Sequence, residues 1–215
     1  MDRVRARLTN SPAIRFVEYT PFDHQKAWSI VAANYFEDSG ADIRRTCSES
    51  TEPLDTLTEW ILEQCEINAR LVGGTLQQRK AARDSFRTAY LAHWSKFEID
   101  VLVMPAAPGT APFLGTSKYW GYTAVWNLLS YPVIALPAAA LVGEKNSLQD
   151  LLNEQYTPRN DIELELHRNY SASASEDMPV GIQVVAPRLH ESMVVAASYV
   201  IENALQGSEE VAPRL

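Results

Sequence analysis

The stretch from Ile99 to Val142, IDVLVMPAAPGTAPFLGTSKYWGYTAVWNLLSYPVIALPAAALV, limits what this chain can fold into more than any other. Only Asp100 and Lys118 carry charge in it. Two short runs, VLVMPA and VIALPAA, flank a Pro/Gly loop and an aromatic segment. Continuous apolar runs of this length indicate strands buried on both faces of a sheet. A membrane span is the competing reading, because the 25 residues from Tyr119 to Gly143 carry no charge and are long enough to cross a bilayer. Pro132 and Pro137 argue against it. A helix through both would lose backbone hydrogen bonds that lipid cannot replace. The segment therefore reads as helix, turn and buried strand.

The rest of the chain is expected to pack around this stretch. Residues 2–9 read as the end of a helix, broken at Asn10, Ser11 and Pro12. AIRFVEY, Ala13 to Tyr19, reads as a strand that Thr20-Pro21 ends. Asp23 is placed to cap a helix over HQKAWSIVAANYFE, with Ala27, Ile30, Val31, Asn34 and Tyr35 on one face. From Asp42 to Phe97 the chain reads as a polar, helical insertion. Leu54, Leu57, Trp60, Ile61 and Cys65 recur at helical spacing in its first long segment, which Gly73-Gly74 ends. Thr75 caps the next helix, whose stripe is Ala82, Phe86, Tyr90, His93 or Trp94, and Phe97. Within the organising stretch, Val125, Leu128 and Leu129 form the apolar face of a short helix. Gly143 to Asp177 is a second polar insertion, with helices expected around Ser147–Gln155 and Asp161–Tyr170 and a low-complexity SASASED turn. Met178–Pro187 reads as a third buried strand. The last helix, Leu189–Leu205, is apolar on most faces and so expected to be buried all round, with Gly207 as its stop.

This order gives an α/β class with a mostly buried sheet covered by helices. At 215 residues the chain is one ordinary domain or one large piece of a bigger one. It divides into a strand–helix part over 13–40, a helical insertion over 41–97, and core strands with a C-terminal helix over 98–206. A net charge of −8 and the lack of a Lys/Arg cluster argue against a nucleic-acid partner. Cys47 and Cys65 are too few for a disulfide scaffold, so a reduced, cytoplasmic setting is expected.

Chemistry is sparse. There is no GxSxG elbow, no phosphate loop and no GxGxxG. Glu163, Glu165 and His167 read as a solvated helix face, and no metal or cofactor is expected. Ser117-Lys118 could suggest a nucleophile and base, but adjacent residues rarely face one another, and an activated serine needs an oriented base and an oxyanion hole. Trp120, Tyr122 and Trp126 stand beside a Pro/Gly loop near strand ends, where aromatics often line a pocket. Plain core packing is the alternative for all three.

Three runs in order, FEIDVLVMPAAPGTAPFLG, GYTAVWNLLSYPVIALPA and MPVGIQVVAPRLHESMVVAASYVIE, resemble the C-terminal half of amidase signature enzymes, in particular fungal acetamidase-like amidases. IRFVEYTPFDHQKAWSIVAANYFEDSG resembles the segment that precedes that half. The likeness covers roughly Ala13 to Leu205. It implies the C-terminal half of the amidase signature fold, with a partial mixed sheet of buried strands covered by helices and residues 1–215 as a single partial domain, and an ancestry in hydrolysis of carboxylic amide C–N bonds. Such enzymes use a serine nucleophile, a bridging serine in a cis peptide and a lysine base, with a Gly/Ser-rich loop for the oxyanion and no cofactor. Those elements belong to the family's N-terminal half, and this sequence has no GGSSGG-like run. No catalytic residue carries over, and the chain is expected to be a truncated form, inactive alone. The loop Ala106–Ser117 and the segment Trp120–Trp126 match a region expected to wall the substrate side. The expected ligand is a small amide or acid. Open sheet edges are expected to favour self-association or a partner chain. The alternatives are a non-enzymatic small-molecule-binding or regulatory module, or a subunit completed by another chain.

Overall fold

In the computed structural model, residues 1–141, 157–169 and 178–207 are described. They fall into two units: residues 1–19, 98–113 and the described residues from 131 onward form one, and residues 20–97 and 114–130 the other. The expected helix over Ser147–Gln155 and the SASASED turn lie outside the described residues.

The first unit is built on a three-stranded sheet. Its elements are α1 (Asp2–Leu8), β1 (Leu102–Pro105), β2 (Val133–Leu141), a helix over Asp161–Asn169, β3 (Pro179–Val185) and a helix over Glu191–Gln206. The strand order is β1-β3-β2. Both pairings are antiparallel, so among the described residues the sheet lacks the parallel pairing expected of a mixed one. One face packs against α1 and the last helix. Val4, Leu8, Ala138, Ile182, Val184, Val194, Ile201 and Leu205 form that core.

Three expectations are corrected here. Residues 13–19 form no strand, because no segment among the described residues pairs with them; Ile14 alone of them packs against the core cluster. β2 is not buried on both faces: Val133, Ala135 and Pro137 are exposed while Ile134, Leu136 and Ala138 turn inward. The last helix buries one stripe, Val194, Ser198, Ile201 and Leu205, and leaves Val195 52% exposed. Its apolar composition exceeds what a single sheet face can cover.

The second unit is helical. Its elements are α2 (His24–Ala33), α3 (Ala41–Ser50), α4 (Thr56–Val72), α5 (Leu76–Trp94) and α6 (Ala124–Leu129). The two helices of the sheet unit that follow are α7 (Asp161–Asn169) and α8 (Glu191–Gln206). Small residues let α2 sit centrally: Ala27, Ala32 and Ala33 are fully buried, and α2 packs on α4, α5 and α6. The expected caps form. The Asp23 carboxylate accepts from Lys26 N–H, and Thr75 and Gln78 make a reciprocal capping box on α5. Gly73 ends α4. α2 stops at Ala33 rather than running to Glu37. The Asn34 amide donates to Ile30 O at 2.8 Å and Arg79 O at 3.3 Å, which takes the chain out of the helix. Tyr35 therefore lies beyond α2 and is 47% exposed. No helix among the described residues is long and apolar enough to cross a membrane.

Candidate functional site

The aromatic segment that the sequence singles out belongs to the helical unit, where it falls into three settings. Trp120 precedes α6, and its carbonyl accepts from Thr123 N–H (3.1 Å) and Ala124 N–H (2.9 Å), so it opens that helix. Its indole N–H donates to Ser117 O at 2.7 Å, which fixes the ring against its own loop. The ring then meets Trp60 of α4 edge-on at 5.1 Å, Trp28 of α2 at 6.2 Å and Tyr35 at 5.7 Å. Trp28 and Trp60 stack at 5.8 Å and 16°. All three tryptophans are half-buried. The result is an aromatic shelf with one polar edge tied down. Such a surface can take a flat or aliphatic group.

Tyr122 is half-buried and lies edge-on to Tyr119 at 5.8 Å. A Cβ at Gly121 would come within 2.6 Å of the far end of the Tyr119 side chain, so a larger residue there would displace that ring.

Trp126 sits elsewhere. It is 2% exposed, with its ring edge-on to His24 (5.8 Å) and Tyr90 (6.1 Å). A side chain this deep supports a wall rather than touching a ligand. The three candidates are thus not one cluster: Trp120 shares its neighbours with α2 and α4, and Trp126 with α2 and α5.

His24, which sequence reasoning passed over, makes a polar contact in this region. Its Nε2 lies 3.4 Å from the Tyr90 hydroxyl. Burial holds its pKa below the usual imidazole value, and the Asp23 carboxylate offsets this in part. The Arg87 guanidinium was also missed. It donates to Leu128 O at 2.6 Å and to Ser130 Oγ at 2.8 Å, capping α6 from α5. Neither contact has a local sequence signal, since 41 or more residues separate the partners.

A chemically complete site does not assemble among the described residues. Ser130 Oγ is engaged by Arg87, and the Ser117-Lys118 backbone is held in a turn by Lys118 N–H on Thr116 O, 2.8 Å. Among the described residues, no group of three or more His, Cys, Asp or Glu could hold a metal ion. Glu163 is occupied by Arg159, which approaches it through its backbone N–H and guanidinium. A surface depression of about 450 Å³ lies between α2, α4 and α5, lined by Asp23, Lys26, Ser29, Ile30, Leu71 and Ala82 among others. None of Trp120, Tyr122 or Trp126 lines it. The loop expected to wall a substrate, Ala106–Ser117, has no regular structure. Its first residue hydrogen-bonds the sheet, Ala106 N–H to Gly181 O at 3.1 Å.

Comparison with known proteins gives this arrangement a context. The Amidase family model matches residues 1–195. The chain is 32% identical over 191 residues to Putative amidase C550.07 of Schizosaccharomyces pombe, covering 89% of this chain and 35% of that protein. It is 25% identical over 185 residues to an acetamidase of Emericella nidulans, covering 83% and 32%. A solved fatty acid amide hydrolase matches with a TM-score of 0.79 at 24% identity, over 95% of this chain and 36% of that one. The chain therefore spans about a third of the length of these relatives.

Proposed function

The chain belongs to the Amidase family, and on that premise we propose that it is the C-terminal scaffold of a carboxylic-amide hydrolase, without turnover of its own. The observation behind this reading is a family match over residues 1–195 in a sequence that has no Gly/Ser-rich run. Amide hydrolysis needs an activated nucleophile and N–H donors aimed at the developing oxyanion. Family enzymes draw both from a serine–serine–lysine set and its glycine-rich loop. Here the chemistry arrives on another stretch of polypeptide, and this chain supplies shape. Trp120 and Tyr122 wall the side of a small amide or acid, and Trp126 holds the segment that carries them. Partner chain or second copy joins through the sheet edges. The two free cysteines, Cys47 and Cys65, suit a cytoplasmic setting.

The test is direct. The purified chain, given acetamide or a simple anilide, releases ammonia or aniline no faster than buffer. Turnover that tracks the chain through purification overturns the reading, whether or not Ser117→Ala and Ser130→Ala remove it.

A further inference from the structure

Lys118 and Asp100 are the only charged residues between Ile99 and Val142, and the setting of Lys118 differs from that of the other described lysines. Lys26 and Lys96 are exposed, where water solvates the ammonium. Lys80 is half-buried and pairs with Glu37 at 2.8 Å. Lys118 is half-buried too, yet no carboxylate pairs with it among the described residues. A charge that has given up part of its water is normally answered by an opposite one. The backbone beneath it is fixed. Lys118 N–H donates to Thr116 O at 2.8 Å, and the carbonyl of the peptide that joins Ser117 to Lys118 accepts from the Trp120 indole at 2.7 Å. The lysine side chain therefore starts beside the tethered edge of the Trp120 ring.

Trp120 is one wall of the aromatic shelf. Trp60 meets it edge-on at 5.1 Å, Trp28 at 6.2 Å, and Tyr35 borders it at 5.7 Å. The three indoles are half-buried, so part of each stays open to a ligand. Flat rings favour offset and edge contacts with such surfaces. The charge around the shelf is lopsided. Glu59 and Glu63 flank Trp60 on α4, and both are exposed. Glu63, three residues on, shares the helix face of Trp60. Lys118 stands at the Trp120 end instead. A ring that carries an anionic group is repelled at α4 and drawn to Lys118, which fixes its orientation. A neutral amide gains nothing from the ammonium charge, and a cation would be drawn to the glutamates.

We propose that Lys118 and the Trp28–Trp60–Trp120 shelf form a site for a flat aromatic carboxylate, with the ring against the indoles and the carboxylate on the ammonium. This rests on the reading of the chain as an amidase scaffold with a small amide or acid as its ligand. It narrows that ligand to the acid and gives Lys118 the role of telling acid from amide.

The test titrates phenylacetate, phenylacetamide, acetate and benzyltrimethylammonium into the full chain, read by tryptophan fluorescence and calorimetry. Phenylacetate binds about tenfold more tightly than phenylacetamide, and acetate, which lacks the ring, about tenfold more weakly than phenylacetate. The preference for the acid shrinks as salt is raised. Lys118→Met abolishes it and leaves phenylacetamide affinity unchanged, while Lys118→Arg keeps it. Trp60→Leu weakens acid and amide together, by about tenfold. Near-UV circular dichroism checks that each variant is folded; should Lys118→Met fail to fold, an acid preference in the parent chain that salt does not alter overturns the proposal. So do equal affinities for acid and amide, a preference that survives Lys118→Met, tighter binding of benzyltrimethylammonium, or binding of none of the four. Ammonia release from phenylacetamide together with the acid preference defeats the scaffold reading and keeps the proposal. Equal affinities without turnover do the reverse.

Discussion

The sheet unit and the helical unit are held together by different means. The core of the sheet unit is aliphatic, and its backbone groups satisfy one another through the β1-β3-β2 ladders. Gln183 is a buried polar exception, and it donates to Pro105 O at 2.9 Å along the same sheet. The helical unit buries the aromatic rings of Phe86, Tyr90, Trp94 and Trp126 among aliphatic side chains such as Ile30, Leu62 and Leu129. Helices leave their last carbonyls without partners, so a bundle of short helices must find side chains to meet them. Arg79 donates to Ala33 O at the end of α2, and Arg87 to Leu128 O at the end of α6. A ladder is indifferent to side-chain detail, whereas a bundle capped by distant arginines depends on single residues. The helical unit should therefore respond more sharply to point substitution.

Trp126→Ala tests that contrast most severely. It empties a site that is 2% exposed, between His24 and Tyr90. The expected loss is about 3–5 kcal/mol, read from urea melts with near-UV circular dichroism as the probe. In the sheet unit, Ile182→Val at 1% exposure should cost only about 0.5–1.5 kcal/mol. Equal costs would remove the distinction between the two cores.

Gly40→Ala comes next. Gly40 starts α3 with φ +81°, and a Cβ there would lie 2.0 Å from Leu62 Cδ2. Left-handed backbone costs an L-residue about 1–2 kcal/mol and overpacking adds a similar amount, so a loss of about 2–4 kcal/mol is expected in the same melts. Arg87→Met should cost about 1.5–3 kcal/mol, because it removes charge-assisted bonds to Leu128 O and Ser130 Oγ. If Ser130→Ala on top of Arg87→Met adds nothing further, the hydroxyl acts only through the arginine.

How much of this was legible in the sequence follows the same division. The three strands of the sheet unit were marked by apolar runs bounded by prolines, and the helix caps Asp23, Thr75, Gly73 and Gly207 by residue type alone. Local pattern is enough where local chemistry decides. It failed at Ala13–Tyr19, which reads as a strand but pairs with no segment among the described residues. It failed again at β2, where an apolar run does not reveal that one face stays uncovered. Spacing placed Trp120, Tyr122 and Trp126 in one aromatic segment but could not separate a half-buried shelf from a fully buried support. The Arg79, Arg87 and His24 contacts were invisible because each joins residues more than 40 positions apart.

The smallest expected effect is a slope in pH rather than a step on substitution. His24 is half-buried beside the Tyr90 hydroxyl and the Trp126 edge, and burial holds its pKa below the usual 6.5, with Asp23 pulling it partly back. In the unfolded chain the same imidazole titrates at its ordinary value. Between the two pKa values the unfolded state binds more protons than the folded one, so stability rises with pH across that window. The contribution is fully present above 6.5 and is lost as pH falls through and below it. Urea melts taken from about pH 5 to 8 should show this fall, and His24→Gln should flatten it while leaving the neutral-pH stability within about 1 kcal/mol, since the amide can still reach the tyrosine hydroxyl. An unchanged slope in the variant would mean that the imidazole stays hydrated. The helical unit would then owe its sensitivity to packing and arginine caps alone.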